Sequence, residues 1–164
     1  MTVALIPGSF DPPTYGHLDI INRTAEHFDR VVVAAIRNPQ KSQALFDLEE
    51  REQMLAEVTS HLDNIDIAHF SGLLVEFAKD RGVRAIVKGL RAVSDFDYEL
   101  QMAQMNFRLS GIDTLFIPTA PQHSFLSSSL VREVARFGGD VTSMVPEVVA
   151  ARLAAKFSGR GEVR

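Results

Sequence analysis

One histidine and two groups of hydrogen-bond donors supply the residue types that this chain could use for phosphate chemistry. His17 ends a Thr-x-Gly-His tetrapeptide that lies between a short apolar run and a helical pattern. Lys88 and Arg91 flank a glycine and a leucine directly after another apolar run, and serines 127–129 precede a further helical pattern. Helix starts present unpaired amide donors and a positive dipole end, which favour phosphate groups. These residues therefore predict a site for phosphorylated ligands.

The residues that other common chemistries need are missing from the sequence. The chain has no cysteine, so disulfides, thiolate metal sites and thiol nucleophiles are excluded. It has no P-loop, no G-x-G-x-x-G dinucleotide motif and no His-Glu-x-x-His metal pair, and its five histidines show no close ligand spacing. No serine has an identifiable base, so we expect no covalent enzyme intermediate.

Short apolar runs, mostly β-branched, alternate with helical patterns along the chain. The runs predict strands at residues 3–6, 31–36, 65–70, 85–87 and 114–117. Helical patterns begin near residues 18, 48, 74, 96, 130 and 146. Strands that alternate with helices are typical of a parallel sheet covered on both faces. The predicted fold is α/β, a Rossmann-like, doubly wound, parallel five-stranded sheet with helices on both faces and additional C-terminal helices.

Ligands bind such sheets outside the carboxyl ends of the strands, near the point where the strand order reverses. The residues that directly follow the predicted strands are therefore candidates for a site. They are Ser9 and His17 after the first strand, Arg37, Asn38 and Lys41 after the second, 88–91 after the fourth and 119–129 after the fifth. Cations and hydroxyl groups thus collect at one edge of the predicted sheet.

Residues that cap or end helices set several predicted boundaries. Asp47 with Glu50 predicts a capping pair, Gly138 predicts a helix end, and Pro146 suits the first position of the last helix.

Two sets of apolar residues are expected to pack in the core, although the second could instead form a contact surface between subunits. The first set is Leu130, Val134 and Phe137, and the second is Met102, Met105 and Phe107.

Composition predicts the class of protein. A chain of 164 residues, 46% hydrophobic and 23% charged, fits one globular domain, which we place at residues 1–157 before a mobile tail over 158–164. A net charge of -4 without a long basic run argues against a nucleic-acid surface. No apolar run is long enough for a membrane span, and no signal peptide is recognisable, so we expect a cytoplasmic, soluble protein.

Several motifs resemble those of a known enzyme family. Thr14-Tyr15-Gly16-His17 is similar to the T/H-x-G-H signature of the nucleotidyltransferase superfamily, which transfers adenylyl or cytidylyl groups from nucleoside triphosphates. Pro7-Gly8-Ser9-Phe10-Asp11-Pro12 resembles more narrowly the bacterial phosphopantetheine adenylyltransferase family, as do residues 89–100. Residues 123–132 resemble the superfamily's serine-rich second signature, with Leu126 and Ser129 in place of isoleucine and threonine. The resemblance extends over residues 3–157.

The resemblance implies reversible transfer of AMP from ATP to 4'-phosphopantetheine by direct in-line attack, giving dephospho-coenzyme A and pyrophosphate. It implies Mg²⁺ carried with ATP, assembly as a homohexamer, and catalytic roles for His17, Lys41 and Arg91. The ATP contacts that it implies are Ser9, Phe10, His17, Gly89, Leu90, Arg91, Glu99, His123, Ser124, Phe125, Leu126, Ser127, Ser128 and Ser129. The phosphopantetheine contacts that it implies are Ser9, Lys41, Leu73, Leu74 and Lys88, the last being arginine in many relatives.

Two other functions are compatible with the same motifs. A sister transferase, such as a nicotinamide-mononucleotide adenylyltransferase or a cytidylyltransferase, would share the Thr14–His17 loop and the serine-rich helix start. A noncatalytic nucleotide sensor would bind ATP and transfer nothing. The identity of the product, or the absence of pyrophosphate release, would distinguish these functions from the one implied by the resemblance.

Overall fold

The computed structural model describes residues 1–37 and 43–159. The strands are β1 (Val3–Gly8), β2 (Arg30–Ile36), β3 (Ile65–Phe70), β4 (Ala85–Leu90) and β5 (Asp113–Pro118). The helices are α1 (Tyr15–His27), α2 (Leu48–Val58), α3 (Leu74–Asp80), α4 (Val93–Ser110), α5 (Ser128–Arg136) and α6 (Glu147–Ser158). A 3-10 turn, Pro121–His123, precedes α5.

All five strands are parallel and lie in the order β3-β2-β1-β4-β5. Ala4 of β1 pairs with Val31 of β2 on one side and with Ala85 of β4 on the other. From β1 the chain therefore adds β2 and β3 on one side. It then crosses back and adds β4 and β5 on the other side of β1. The fold prediction is confirmed, and the reversal of strand order places a crevice at the carboxyl ends of β1 and β4.

Alternate residues of each buried strand face opposite layers of helices. Leu5 and Val32 belong to the cluster under α3, whereas Ile6 and Val33 belong to the cluster under α1 and α2. A third cluster, around Phe46, joins α2 to α5 and α6. Because both faces of the sheet are covered, its central strands are apolar throughout, as parallel sheets require. The layers hold the carboxyl ends of the strands in fixed positions.

Helix ends agree closely with the predicted boundaries. Asp47 and Glu50 form a reciprocal capping box at the start of α2. Gly138 follows α5 with φ 76°, a left-handed conformation that glycine adopts without a steric cost. Pro146 is the N-cap of α6 rather than its first residue, and α6 includes Ser158, where the tail was predicted to begin.

The expectation that two apolar sets would be buried is wrong for most of their members. α4 packs on β4, β5 and α3, and no other element of the described residues covers its outer side. Met102, Met105 and Phe107 are therefore 39%, 55% and 53% exposed. Val131 of α5 is buried, whereas Phe137, the residue that follows α5, is exposed. The buried face of α5 therefore contains Val131 and does not extend to Phe137. None of the helices in the described ranges has the length and apolar character needed to cross a membrane.

Candidate active site

A cleft of about 1240 Å³ opens at the carboxyl ends of β1 and β4. Its walls come from the β1–α1 loop, the end of β4, α4 and the start of α5, with α2 and α6 at one side. The cleft brings together most of the predicted site residues. They are Ser9, Phe10, His17, Lys88, Gly89, Arg91, Glu99, Leu126, Ser127, Ser128 and Ser129.

The other predicted site residues do not line this cleft or are not described. Leu73 is the N-cap of α3, Leu74 begins that helix, and Leu90 ends β4. His123 stacks on Tyr15 with 6.1 Å between ring centroids, while Ser124 and Phe125 are exposed beside it. Lys41 and the neighbouring residues 38–40 lie outside the described residues. The ligand contacts assigned to all of these residues stay predictions.

His17 is held in a defined orientation by the loop that precedes α1. Thr14 is the N-cap, and its backbone N–H donates to His17 Nδ1 at 3.0 Å. Since Nδ1 accepts this hydrogen bond, the proton of the neutral ring is assigned to Nε2. Phe10 packs edge-on against the ring, with 5.0 Å between centroids. His17 therefore presents one preorganised donor, Nε2–H, at the wall of the cleft.

The environment of His17 keeps its ring neutral. Burial, together with the nearby charges of Arg91 and Lys88, lowers the pKa of His17 from 6.5 to about 4. Near neutral pH the ring can thus donate a hydrogen bond without adding a positive charge, and Arg91 and Lys88 supply the charge. This combination suits phosphate oxygens on which negative charge increases during a reaction.

The pKa of His17 predicts a loss of stability in mild acid. Below pH 6.5 the unfolded chain binds a proton at His17 that the folded chain binds only near pH 4, so stability falls as the pH falls through this window. At about pH 5 the loss relative to neutral pH is ~2 kcal/mol, at ~1.4 kcal/mol per pH unit. Urea unfolding of wild type and His17→Asn across this window measures it. A stability difference between the two proteins that does not change with pH would contradict the prediction.

The end of β4 lies close to α1. A Cβ at Gly89 would be 2.9 Å from Ile20 Cγ1, so a larger residue would require the Ile20 side chain to move. On either side of this contact, Lys88 Nζ lies 3.5 Å from Glu99 Oε1, and Arg91 Nε donates to Asp95 at 3.2 Å. Acidic side chains of α4 therefore hold both cations at the cleft.

The serines at the start of α5 have three different structural roles. Ser127 is the N-cap, and its Oγ accepts from the Leu130 N–H at 3.1 Å. Ser128 Oγ donates to the Pro12 carbonyl at 2.7 Å, which ties α5 to the β1–α1 loop. Ser129 is exposed at the cleft. Helix capping therefore accounts for one of the three serine hydroxyls. The first backbone amides of α5 lie at the wall of the cleft that these serines form, where an anion can bind.

Arg51 is a residue of the cleft that the sequence analysis missed. Its side chain is 4% exposed, and its Nη1 donates to the carbonyls of Ser9 at 2.7 Å and Ile36 at 3.1 Å. Its Nε donates to the Asp47 carbonyl at 3.2 Å, and burial lowers its pKa against the opposing effects of Asp11 and Asp47. Arg51 therefore joins the β1–α1 loop to the end of β2 and to the start of α2. One feature of the sequence could have indicated this role: Arg51 lies on the otherwise apolar face of α2.

Comparisons with known proteins agree with this architecture. Residues 5–134 match the family model described as cytidylyltransferase-like. The phosphopantetheine adenylyltransferase of Synechococcus sp. (strain RCC307) is 56% identical over 161 residues, which cover 98% of this chain and 96% of that protein. A crystal structure of a candidate nicotinate-nucleotide adenylyltransferase from Vibrio parahaemolyticus has a TM-score of 0.66 at 15% identity, covering 94% of this chain and 99% of that one. The crystal structure supports the fold alone, whereas the Synechococcus relative defines a narrower family.

Proposed function

This chain belongs to the phosphopantetheine adenylyltransferases within the cytidylyltransferase-like family, and from that premise we propose how its own residues carry out adenylyl transfer. The proposed reaction moves AMP from ATP to 4'-phosphopantetheine and releases pyrophosphate, with dephospho-coenzyme A as the product. A phosphate oxygen of phosphopantetheine attacks the α-phosphorus of ATP in line. No bond to the enzyme forms at any step.

One observation carries this proposal: a neutral histidine donor, two cations and a helix start face a single cleft. His17 stabilises the charge that grows on the α-phosphate oxygens. Arg91 shares this charge from the end of β4, and the start of α5 binds the leaving pyrophosphate. The protein's contribution is to align two anions that repel each other and to neutralise them, which requires donors and no nucleophile.

We assign the remaining predicted residues that line the cleft to the two substrates on the basis of the resemblance. Lys88 binds the phosphate of phosphopantetheine as a point charge. Ser9 contacts both substrates, and Glu99 of α4 contacts the adenosine of ATP. Lys41 is proposed as a third catalytic cation on the basis of the resemblance alone. The proposed contacts of Leu73 and Leu74 with the pantetheine arm, and of the 123–125 segment with ATP, have the same basis.

We propose that Mg²⁺ enters with ATP and is held by the oxygens of the triphosphate. In the described part of the chain, no three histidine, aspartate or glutamate side chains are grouped as a metal cage would need. When bound, Mg²⁺ would offset the charge of the triphosphate, and no residue of this chain is assigned as its ligand. ATP and Mg²⁺ are both abundant in the cytoplasm, which we propose as the location.

The experiment that tests the proposed function is pyrophosphate release from ATP with and without 4'-phosphopantetheine, together with the mass of the product. We expect release that depends on phosphopantetheine and a product with the mass of dephospho-coenzyme A. Nicotinamide mononucleotide as acceptor and CTP as donor are the matched substrate controls. A product formed only with one of these would indicate a sister transferase, and ATP binding without any pyrophosphate release would indicate a sensor.

We also propose assembly as a homohexamer through the outer side of α4. Tyr98, Met102, Met105 and Leu109 recur at spacings of four, three and four residues and are 65%, 39%, 55% and 48% exposed. Such an apolar stripe without a covering layer is typical of a contact between protein surfaces.

Charged substitutions on this stripe are expected to dissociate the assembly. Met102→Glu with Met105→Glu would place like charges at the contact, so the mass in light scattering should fall from six times 18.1 kDa towards that of one chain. Phe137→Glu, an exposed apolar residue on α5, is the matched control and should leave the mass unchanged. A wild-type protein with the mass of one chain, or a double variant with the wild-type mass, would contradict the proposed interface.

A further inference from the structure

Asp11 is a buried carboxylate at the junction of three segments that border the cleft. It is 6% exposed, and its two oxygens accept hydrogen bonds from the backbone N–H groups of Leu45 and Phe46, each at 2.9 Å. Arg132 Nη1 lies 3.6 Å from Asp11 Oδ2 and also donates to the Asp11 carbonyl. The β1–α1 loop, the segment before α2, and α5 therefore meet at one side chain.

A carboxylate is buried at a net cost unless its partners compensate for the lost water. Here the two backbone amides donate charge-assisted hydrogen bonds to the carboxylate, and the guanidinium of Arg132 provides a counter-charge. Both Asp11 contacts are made with Arg132 Nη1: the Asp11 carbonyl accepts its hydrogen bond, and the carboxylate is its counter-charge. The β1–α1 loop therefore fixes one nitrogen of the guanidinium.

The orientation of Arg132 bears on the reacting end of the cleft. Arg132 and Ser129 both line the cleft, and Arg132 Nη2 lies 3.3 Å from Ser129 Oγ. Ser128 Oγ donates to the carbonyl of Pro12, the residue after Asp11, so the same short loop also fixes the first turn of α5. A planar guanidinium whose Nη1 is held in this way can present its other N–H groups to a polyphosphate.

We infer that Asp11 is a positioning residue for the pyrophosphate end of the site, acting through Arg132. This inference rests on the proposed function, since it takes the start of α5 as the place where the β- and γ-phosphates bind. Asp11 does not touch the substrates. It holds the guanidinium of Arg132, and with it Ser129, facing the leaving group.

The test is a double-mutant cycle with Asp11→Asn and Arg132→Ala, measured in both directions of the reaction. Asp11→Asn removes the counter-charge that faces Arg132 Nη1 and replaces one acceptor oxygen by a donor NH₂, while the hydrogen bond to the backbone carbonyl of residue 11 can remain. We expect the KM values for ATP and for pyrophosphate to rise about tenfold, while the KM for phosphopantetheine changes less than about twofold. In the Arg132→Ala background, Asp11→Asn should add less than about twofold to these KM values.

Asp140→Asn is the matched control, because Asp140 also accepts from a backbone amide, that of Thr142 at 2.9 Å, but is exposed and outside the cleft lining. It should leave all three KM values unchanged. If Asp11→Asn does not fold, Arg132→Lys replaces it, since lysine keeps the charge but has no second nitrogen to reach Ser129 while the first contacts Asp11. The same selective rise of the KM for ATP and pyrophosphate is then expected, and an unchanged KM for ATP would overturn the inference.

Two results of the cycle would also overturn the inference. One is an equal rise of all three KM values, and the other is an effect of Asp11→Asn that is the same with and without Arg132, because either would mean that Asp11 only stabilises the fold. Failure of the wild-type enzyme to form dephospho-coenzyme A would instead reject the proposed function. The two failures are therefore distinguishable in one set of assays.

Discussion

His17→Ala is expected to lower turnover by about 10² to 10³, the usual effect of removing one preorganised donor to a transition state. Thr14 holds Nδ1 of the ring, so the Nε2–H donor is already oriented before substrates bind. Because the pKa of His17 is about 4, the donor is present at neutral pH without any protonation step. Alanine removes this donor and leaves the start of α5 and both β4 cations in place.

Steady-state kinetics and ATP binding measured on the same protein test this prediction. The Kd for ATP should change little, because the interaction with His17 strengthens as charge grows on the α-phosphate oxygens. His27→Ala, at the exposed end of α1, is the control and should have wild-type turnover. Near-normal turnover in His17→Ala would reject the role assigned to His17.

Arg51→Met is expected to lower the free energy of unfolding by about 3 kcal/mol, because hydrogen bonds from a buried charge are lost and buried carbonyls are left unpaired. Methionine keeps much of the volume of arginine but none of its donors. The Ser9, Ile36 and Asp47 carbonyls all accept from this one guanidinium. The substitution therefore weakens the contact between the loops after β1 and β2 and the start of α2.

Arg152→Met is the matched control for this measurement. Arg152 pairs with Glu57 at 2.6 Å and with Gln53 at 3.3 Å, both on the outer surface of α2. A partly exposed pair of this kind contributes less than about 1 kcal/mol, so urea unfolding should separate the two variants clearly. If both variants lost the same small amount of stability, Arg51 would not be the tie between the β1–α1 loop, the end of β2 and the start of α2.

The fold could be predicted from the sequence because each strand and helix has a local pattern of apolar residues: short continuous runs for the buried strands and helical spacing for the helices. The apolar runs at 3–6 and 31–36 form the central strand β1 and its neighbour β2, and the Asp47 and Glu50 capping box starts α2 as predicted. The superfamily predicted from the Thr14–His17 tetrapeptide is confirmed by the family model, and the narrower family predicted from residues 7–12 and 89–100 is confirmed by the relative from Synechococcus. Which apolar residues are covered depends on neighbouring layers, and this is why Met105 and Phe137 were wrongly expected in the core.

The sequence was less informative about what holds the site together. His17, Lys88 and Arg91 stand out because their types and spacing are uncommon next to a strand end, and the structure brings all three to one cleft. Arg51 and Asp11 bind backbone groups of segments that are distant in sequence. A backbone carbonyl or amide has no signature in a sequence, so these contacts could be found only in three dimensions.

The central claim is that the two substrates react directly with each other in the cleft and that the protein forms no bond with either. The most direct measurement uses ATP made chiral at a thio-substituted α-phosphorus and determines the configuration of the dephospho-coenzyme A analogue that is formed. A single in-line displacement predicts inversion at phosphorus. Retention would mean two successive displacements through an adenylylated enzyme, and it would contradict the account.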